Sequence, residues 1–280
     1  MKLLLYKKKL NNYFEKFSVS QKMLAAWKVV LSCPCLEDIY IDFKLSSIRY
    51  KEKCTVDVIE EKSGQFKGCS MLAIAELFLP RKSQLKFLKI VKFANLKKIR
   101  IGYSIRDEIP LILKLYFHFD NGLVFESEIR RLIKELGFDF FFKLPDHKGL
   151  TLGFEFQGET MALSIYEYYH GLPKAYLKKN CIKNYLEGMH YNKSSYYACA
   201  KKYSPKGELI YSKIAKIYNR NHRFAQIKKD IKLAMGRDIY MDLNKNFEDF
   251  IIDNLGFRLE DGRRDVYIFP RGCSCRDFIC

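Results

Sequence analysis

A chain of 280 residues, 48% of them hydrophobic, can bury a large core and fits one domain spanning 1–280, with a cysteine-containing tail at 271–280 that need not pack on it. Its formal net charge of +18 calls for an anionic partner, whether nucleic acid, membrane surface, acidic peptide or a phosphorylated small molecule, and does not choose among them. Nine cysteines without CxxC pairs argue against a zinc site; Cys33-Pro-Cys35 and Cys273-Ser-Cys275, the close pairs, are read with the rest as free thiols in a reducing cytoplasm. The opening "MKLLLYKKKL" has too short an apolar run for a signal peptide, and no later stretch reaches the length of a membrane span, so a cytoplasmic protein with no membrane contact is expected.

In chain order, helical periodicity predicts a helix over 20–31, with Ser20 as N-cap and Pro34 beyond its end. A strand is expected at 48–59 and another at 66–78. A second helix is expected over 83–94, where Leu85, Leu88 and Val91 line one side, and strands follow at 99–106 and 111–119. The run 125–137 reads as a helix ending on a glycine, 138–143 and 151–157 as strands, and 166–188 as a helix. Strands at 194–203 and 208–217, a helix at 244–256 and a strand at 264–269 complete the chain. Strands come in adjacent pairs joined by turns such as "DHKG" (146–149) and "SPKG" (204–207), which indicates antiparallel hairpins separated by helices.

These strands share an asymmetry. In "ILKLYFHF" (112–119), Leu113, Leu115, Phe117 and Phe119 occupy one face, and Ile112, Lys114, Tyr116 and His118 the other. Phe154 and Phe156 oppose Glu155 and Gln157, and Cys54, Val56 and Val58 oppose Thr55 and Asp57. If helices cover the apolar faces, the polar and aromatic faces point together, either into the lumen of a closed barrel or, in an open sheet, toward water.

Four stretches, "GYSIRDEIPLILKLYFHF" (102–119), "LGFDFFF" (136–142), "SSYYACAKKYSPKGELIYSKI" (194–214) and "LEDGRRDVYIFP" (259–270), resemble in order and spacing the cyanobactin peptide prenyltransferases, a branch of the ABBA prenyltransferases. The resemblance implies an α+β fold: an antiparallel barrel of about ten strands with a polar lumen, surrounded by α-helices. It also implies transfer of an isoprenoid from its diphosphate to a side chain or terminus of a ribosomally made, cyclic or linear peptide. Isoprenyl diphosphate is then the co-substrate, Mg²⁺ helps to hold the diphosphate, and a monomer is expected. No DDxxD motif is present, so basic side chains must bind much of the anion.

Ionising an allylic diphosphate needs positive groups around the leaving pyrophosphate and aromatic faces that stabilise the cation without attacking it. Lys114 and Tyr116 meet both demands, and Lys114 matches a lysine of the family; Lys202, Tyr211, Lys213 and Tyr267 fall on lumen faces of later strands. Each of these, taken singly, is also consistent with an exposed strand lysine or a packed tyrosine. The resemblance asks for an acceptor-side carboxylate on an early strand. Glu52 fills that place if a one-residue bulge turns it inward, with Asp57 as substitute, and Lys67 stands in for a family arginine. Ala198 corresponds to the position that caps the isoprenoid pocket and shares a face with Ala200; small residues there imply geranyl over dimethylallyl diphosphate. Asp242 falls near the peptide mouth, as a partner for a cationic acceptor or as a helix N-cap. Two rival readings stand beside this one: a basic nucleic-acid-binding protein that uses its 19 tyrosines and 22 phenylalanines for base stacking, and a non-catalytic peptide-binding relative.

Overall fold

The structure is a computed structural model that describes residues 20–32, 39–46, 55–60, 69–119, 125–140, 149–178, 182, 195–218, 224–235 and 250–270. Helix α1 (Gln21–Ser32) precedes β1 (Ile39–Ser46) and β2 (Thr55–Glu60); α2 (Cys69–Phe78) and α3 (Arg81–Lys97) precede β3 (Arg100–Arg106) and β4 (Ile112–Phe119). Then come α4 (Glu126–Glu135) with β5 (Leu150–Gln157) and β6 (Thr160–His170), and α5 (Lys174–Leu177) with β7 (Tyr196–Tyr203) and β8 (Leu209–Ile217). Last are α6 (Phe224–Met235), β9 (Phe250–Arg258) and β10 (Arg264–Pro270). The strands form a closed antiparallel barrel in chain order, and β10 pairs with β1 to shut the ring.

Local chemistry accounts for several element ends. Ser20 Oγ accepts the Met23 N–H at 3.1 Å, capping α1 as its sequence predicts. Past α4, Gly137 takes φ +94°, and the Phe138 N–H reaches Ile133 O at 3.2 Å, which closes the helix with the left-handed residue that glycine supplies cheaply. In the "SPKG" turn the Gly207 N–H donates to Ser204 O at 3.0 Å.

The apolar core lies outside the barrel, between strands and helices. Leu113, Leu115, Phe117 and Phe119 of β4 face outward and are buried, as are Leu152, Phe154 and Phe156 of β5. Phe117 meets Phe154 edge-on at 5.2 Å between ring centroids, and Phe87 of α3 packs on Phe156 at 5.6 Å. Emptying one such site costs about 3–5 kcal/mol. One charged pair shares this layer: Lys216 Nζ of β8 meets Asp230 Oδ2 of α6 at 2.7 Å, and the Tyr218 hydroxyl donates to the same oxygen at 2.9 Å. Among the described residues no helix is long and apolar enough to cross a membrane.

Several predicted elements are corrected. The stretch 66–78, read as a strand, contains α2, whose buried Met71, Ile74 and Ala75 recur at helical spacing. The predicted helix 166–188 gives way to the end of β6 and the short α5. "YEYYH" puts tyrosines on both faces of a strand, so it shows no clean alternation. The predicted helix 244–256 becomes β9 from Phe250 on, where pairing with β8 and β10 overrides apolar residues at helical intervals. Residues 138–140 are not a strand, although the Asp139 N–H reaches Pro205 O at 3.0 Å. Strand β1 and helix α6 stand where the sequence reading has no element.

Candidate active site

Cross-strand register fixes which side chains share the bore. Lys114 pairs with Ser104 on one side and Glu155 on the other; Ser164 pairs with Lys202, and Ala200 with Lys213. Because paired residues of an antiparallel sheet point to the same face, the apolar alternation that turns Leu113 and Phe154 outward turns Lys114 and Glu155 inward. Ala198 and Tyr166 sit mid-strand on this inner face and are only partly buried, so the bore is not filled by its own side chains.

The candidate lysines and tyrosines come together in pairs. Lys114 Nζ lies 5.4 Å from the Tyr116 ring centroid and 5.1 Å from that of Tyr166; Lys202 stands over Tyr211 at 5.6 Å and Lys213 over Tyr267 at 4.6 Å. Lys114 donates to Ser164 Oγ and Tyr166 OH, both at 2.8 Å, and Lys213 to Asp265 Oδ2 at 2.9 Å and Tyr267 OH at 3.1 Å. Tyr116 is held through its hydroxyl by Ser104 Oγ at 3.0 Å.

The centre of the charge is a residue that the sequence reading placed on the polar face and did not select. Glu155, 4% exposed, hydrogen-bonds Lys202 through Oε1, while Oε2 lies 3.8 Å from both Lys114 Nζ and Arg106 Nη2 and accepts no hydrogen bond. Burial alone would raise its pKa, but Arg106, Lys114 and Lys202 outweigh burial and pull it down to about 2. Burial lowers the pKa of Lys202 against the opposing pull of Glu155, and lowers that of Lys213 against Asp265. Arg106 is held more firmly charged: burial opposes this and Glu155 overcomes it. Arg258, whose guanidinium stacks 4.3 Å from the Tyr211 centroid, and Tyr166 are further bore residues that the sequence reading missed. Their signal was the same alternation, in strands it took for helices or at strand ends.

The bore is polarised along its length. Arg106, Lys202, Tyr211 and Arg258 lie toward one mouth. Toward the other lie His118, Tyr168, Tyr196 and His170, with Tyr168 stacked on Tyr196 at 6.1 Å. His118 donates to or accepts from Thr151 Oγ1 through Nδ1 at 3.1 Å; burial, reinforced by Arg100, drops its pKa to about 3, so the ring is neutral. Ala198, Ala200 and Ala215 form a low strip of wall beside Tyr166 and Tyr168.

Asp57 occupies a register position opposite Ser104, on the face that Lys114 shares. Glu52, Lys67 and Asp242 lie outside the described residues, as do both close cysteine pairs. Cys199 is a free thiol buried on the outer face, and burial pushes its pKa up to about 12. Among the described residues no cluster of His, Cys, Asp and Glu fits a resident Mg²⁺, and the carboxylates Glu155 and Asp265 are already ion-paired with lysines. What this lumen offers a ligand is chiefly positive charge.

No family model and no curated protein matches the sequence. Solved structures do match in fold. AnaPT from Neosartorya fischeri aligns at a TM-score of 0.55 and 12% identity over 84% of this chain and 78% of its own. The NotF prenyltransferase aligns at 0.56 and 10% over 83% and 80%, and a 6-dimethylallyl tryptophan synthase at 0.54 and 10% over 93% and 94%. The likeness is one of architecture, and the chain has the barrel fold of the ABBA prenyltransferases.

Proposed function

We propose that the protein is a prenyltransferase that moves an isoprenoid from its diphosphate to a peptide. The observation behind this reading is the cluster at Glu155, where one buried cation, Lys114, and two half-buried ones, Lys202 and Arg106, surround one buried carboxylate beside tyrosine faces inside a closed barrel. That excess of positive charge suits a diphosphate, and low-dielectric surroundings make it count. The nucleic-acid reading wants cations arrayed on an outer face, whereas this cluster lies within the bore.

In the proposed reaction the allylic C–O bond breaks and its electron pair leaves with the pyrophosphate, toward Lys114, Lys202 and Arg106. The faces of Tyr116, Tyr166 and Tyr211 screen the carbocation from water. The acceptor atom then attacks, and its proton passes to an early-strand carboxylate, Asp57 or Glu52. With the diphosphate at the cationic end, the hydrocarbon runs along Ala198 and Ala200 toward the aromatic mouth, where small side chains leave room for geranyl rather than dimethylallyl. The cyanobactin-like stretches support a ribosomal peptide as acceptor, and any Mg²⁺ arrives on the diphosphate.

Incubating the protein with geranyl or dimethylallyl diphosphate, Mg²⁺ and a panel of cyclic and linear peptides, read by mass spectrometry, tests the reading. A peptide gaining one geranyl unit is the expected result. Saturable donor binding without transfer to any peptide in the panel would favour a non-catalytic relative.

A further inference from the structure

Two lysines of the bore follow the same path. Lys114 leaves β4, crosses Gly153 of β5 and ends on β6 at Ser164 and Tyr166; Lys213 leaves β8, crosses Gly256 of β9 and ends on β10 at Asp265 and Tyr267. The receiving strands repeat a spacing, Ser164-x-Tyr166 and Asp265-x-Tyr267. A Cβ on Gly153 would stand 2.4 Å from Lys114 Cε and 3.3 Å from its Nζ, and one on Gly256 would stand 2.1 Å from Lys213 Cε. Carbon atoms do not approach so closely, so any side chain at either glycine evicts the lysine from its track. Neither glycine is among those with positive φ, so the backbone would accept alanine and the glycines serve to leave space.

The two copies differ in what answers the charge. Lys213 donates directly to the carboxylate of Asp265 at 2.9 Å. Among the described contacts Lys114 donates to hydroxyls, and Glu155, 3.8 Å from its ammonium, is shared with Lys202 and Arg106. In the first copy, then, the described partners of the ammonium are neutral hydroxyls and a shared carboxylate at 3.8 Å.

We infer that Gly153 is a positioning residue for the diphosphate site. By having no side chain it lays Lys114 across β5, and so sets the ammonium beside Ser164 and Tyr166, where it meets the pyrophosphate. This rests on the diphosphate reading above. The lysine is flexible and can swing away, so Gly153→Ala costs the fold little and the site much.

The test titrates inorganic pyrophosphate, with Mg²⁺, into the wild type, Gly153→Ala, Lys114→Ala and the double variant, with thermal midpoints recorded alongside. Gly153→Ala is expected to weaken pyrophosphate binding by about tenfold or more, the scale of losing a charge-assisted contact. In the Lys114→Ala background the same change is expected to alter affinity less than about twofold, because strongly coupled residues are not additive. A purely structural glycine would give the same loss in both backgrounds, which overturns the inference. So does unaltered binding by Gly153→Ala. Should Gly153→Ala fail to fold, the double variant, in which the crowding lysine is gone, must fold, and failure there too overturns it. A wild type that does not bind pyrophosphate at all sinks the diphosphate reading itself, an outcome distinct from the others.

Discussion

Lys114 and Glu155 are register partners on adjacent strands inside the barrel, 2% and 4% exposed, yet their nearest charged atoms stand 3.8 Å apart. Lys114 spends its hydrogen bonds on Ser164 and Tyr166, and Glu155 spends its own on Lys202. Among the described residues no carboxylate hydrogen-bonds this ammonium, and a buried ammonium held by hydroxyls is suited to binding an incoming anion. Lys114→Ala is expected to lower kcat/KM for the allylic diphosphate by about 10²–10³, the range for deleting one preorganised stabilising group. Steady-state kinetics with varied donor checks it, and a loss below about fivefold would remove Lys114 from the reaction.

Glu155 makes stability depend on pH in a defined window. Its folded pKa of about 2 lies below the ordinary 4.5, so its contribution is present in full above 4.5 and is lost as pH falls through about 2. Glu155→Gln is expected to cost on the order of 3 kcal/mol at pH 7, because three cations lose their common counter-ion. Denaturant midpoints of wild type and variant should converge as pH drops from 4.5 toward 2, and a gap that widens toward acid pH would contradict the assignment.

The pair Lys216–Asp230 is buried outside the bore, where it ties α6 to β8. Asp230→Ala removes the buried carboxylate that Lys216 and Tyr218 share and should destabilise by about 3–5 kcal/mol. Because neither side chain faces the lumen, pyrophosphate affinity of the folded variant should match the wild type. Chemical denaturation and calorimetric titration separate the two effects.

Ala198 faces the bore between Tyr168 and Ala215. Ala198→Phe would fill the strip along which the hydrocarbon is proposed to lie, moving preference from geranyl toward dimethylallyl diphosphate by about tenfold or more in relative kcat/KM, since pocket volume discriminates by methylene count. Competition between the two donors, with products separated by mass, reads the ratio. A dimethylallyl preference in the wild type, unaltered by Ala198→Phe, defeats the idea.

Much of this architecture was legible because period-two alternation survives in strands with one oily face. In β4 it places Lys114 and Tyr116 inward without any structure, and the same parity gives Lys202, Tyr211, Lys213 and Tyr267. It fails in β6, where tyrosine suits either face, so Tyr166, Tyr168 and His170 were hidden inside a predicted helix. Glu155 was on the correct face and still overlooked, because its importance comes from cations on β3, β4 and β7, which only register brings together. The tracks over Gly153 and Gly256 are likewise cross-strand facts with no local signature.

The most direct test of the central claim is calorimetric titration of geranyl diphosphate, with Mg²⁺, into the wild type and Lys114→Ala. The account predicts saturable one-to-one binding that weakens at least about tenfold in the variant. Absence of saturable binding, or equal affinity in both proteins, would contradict it.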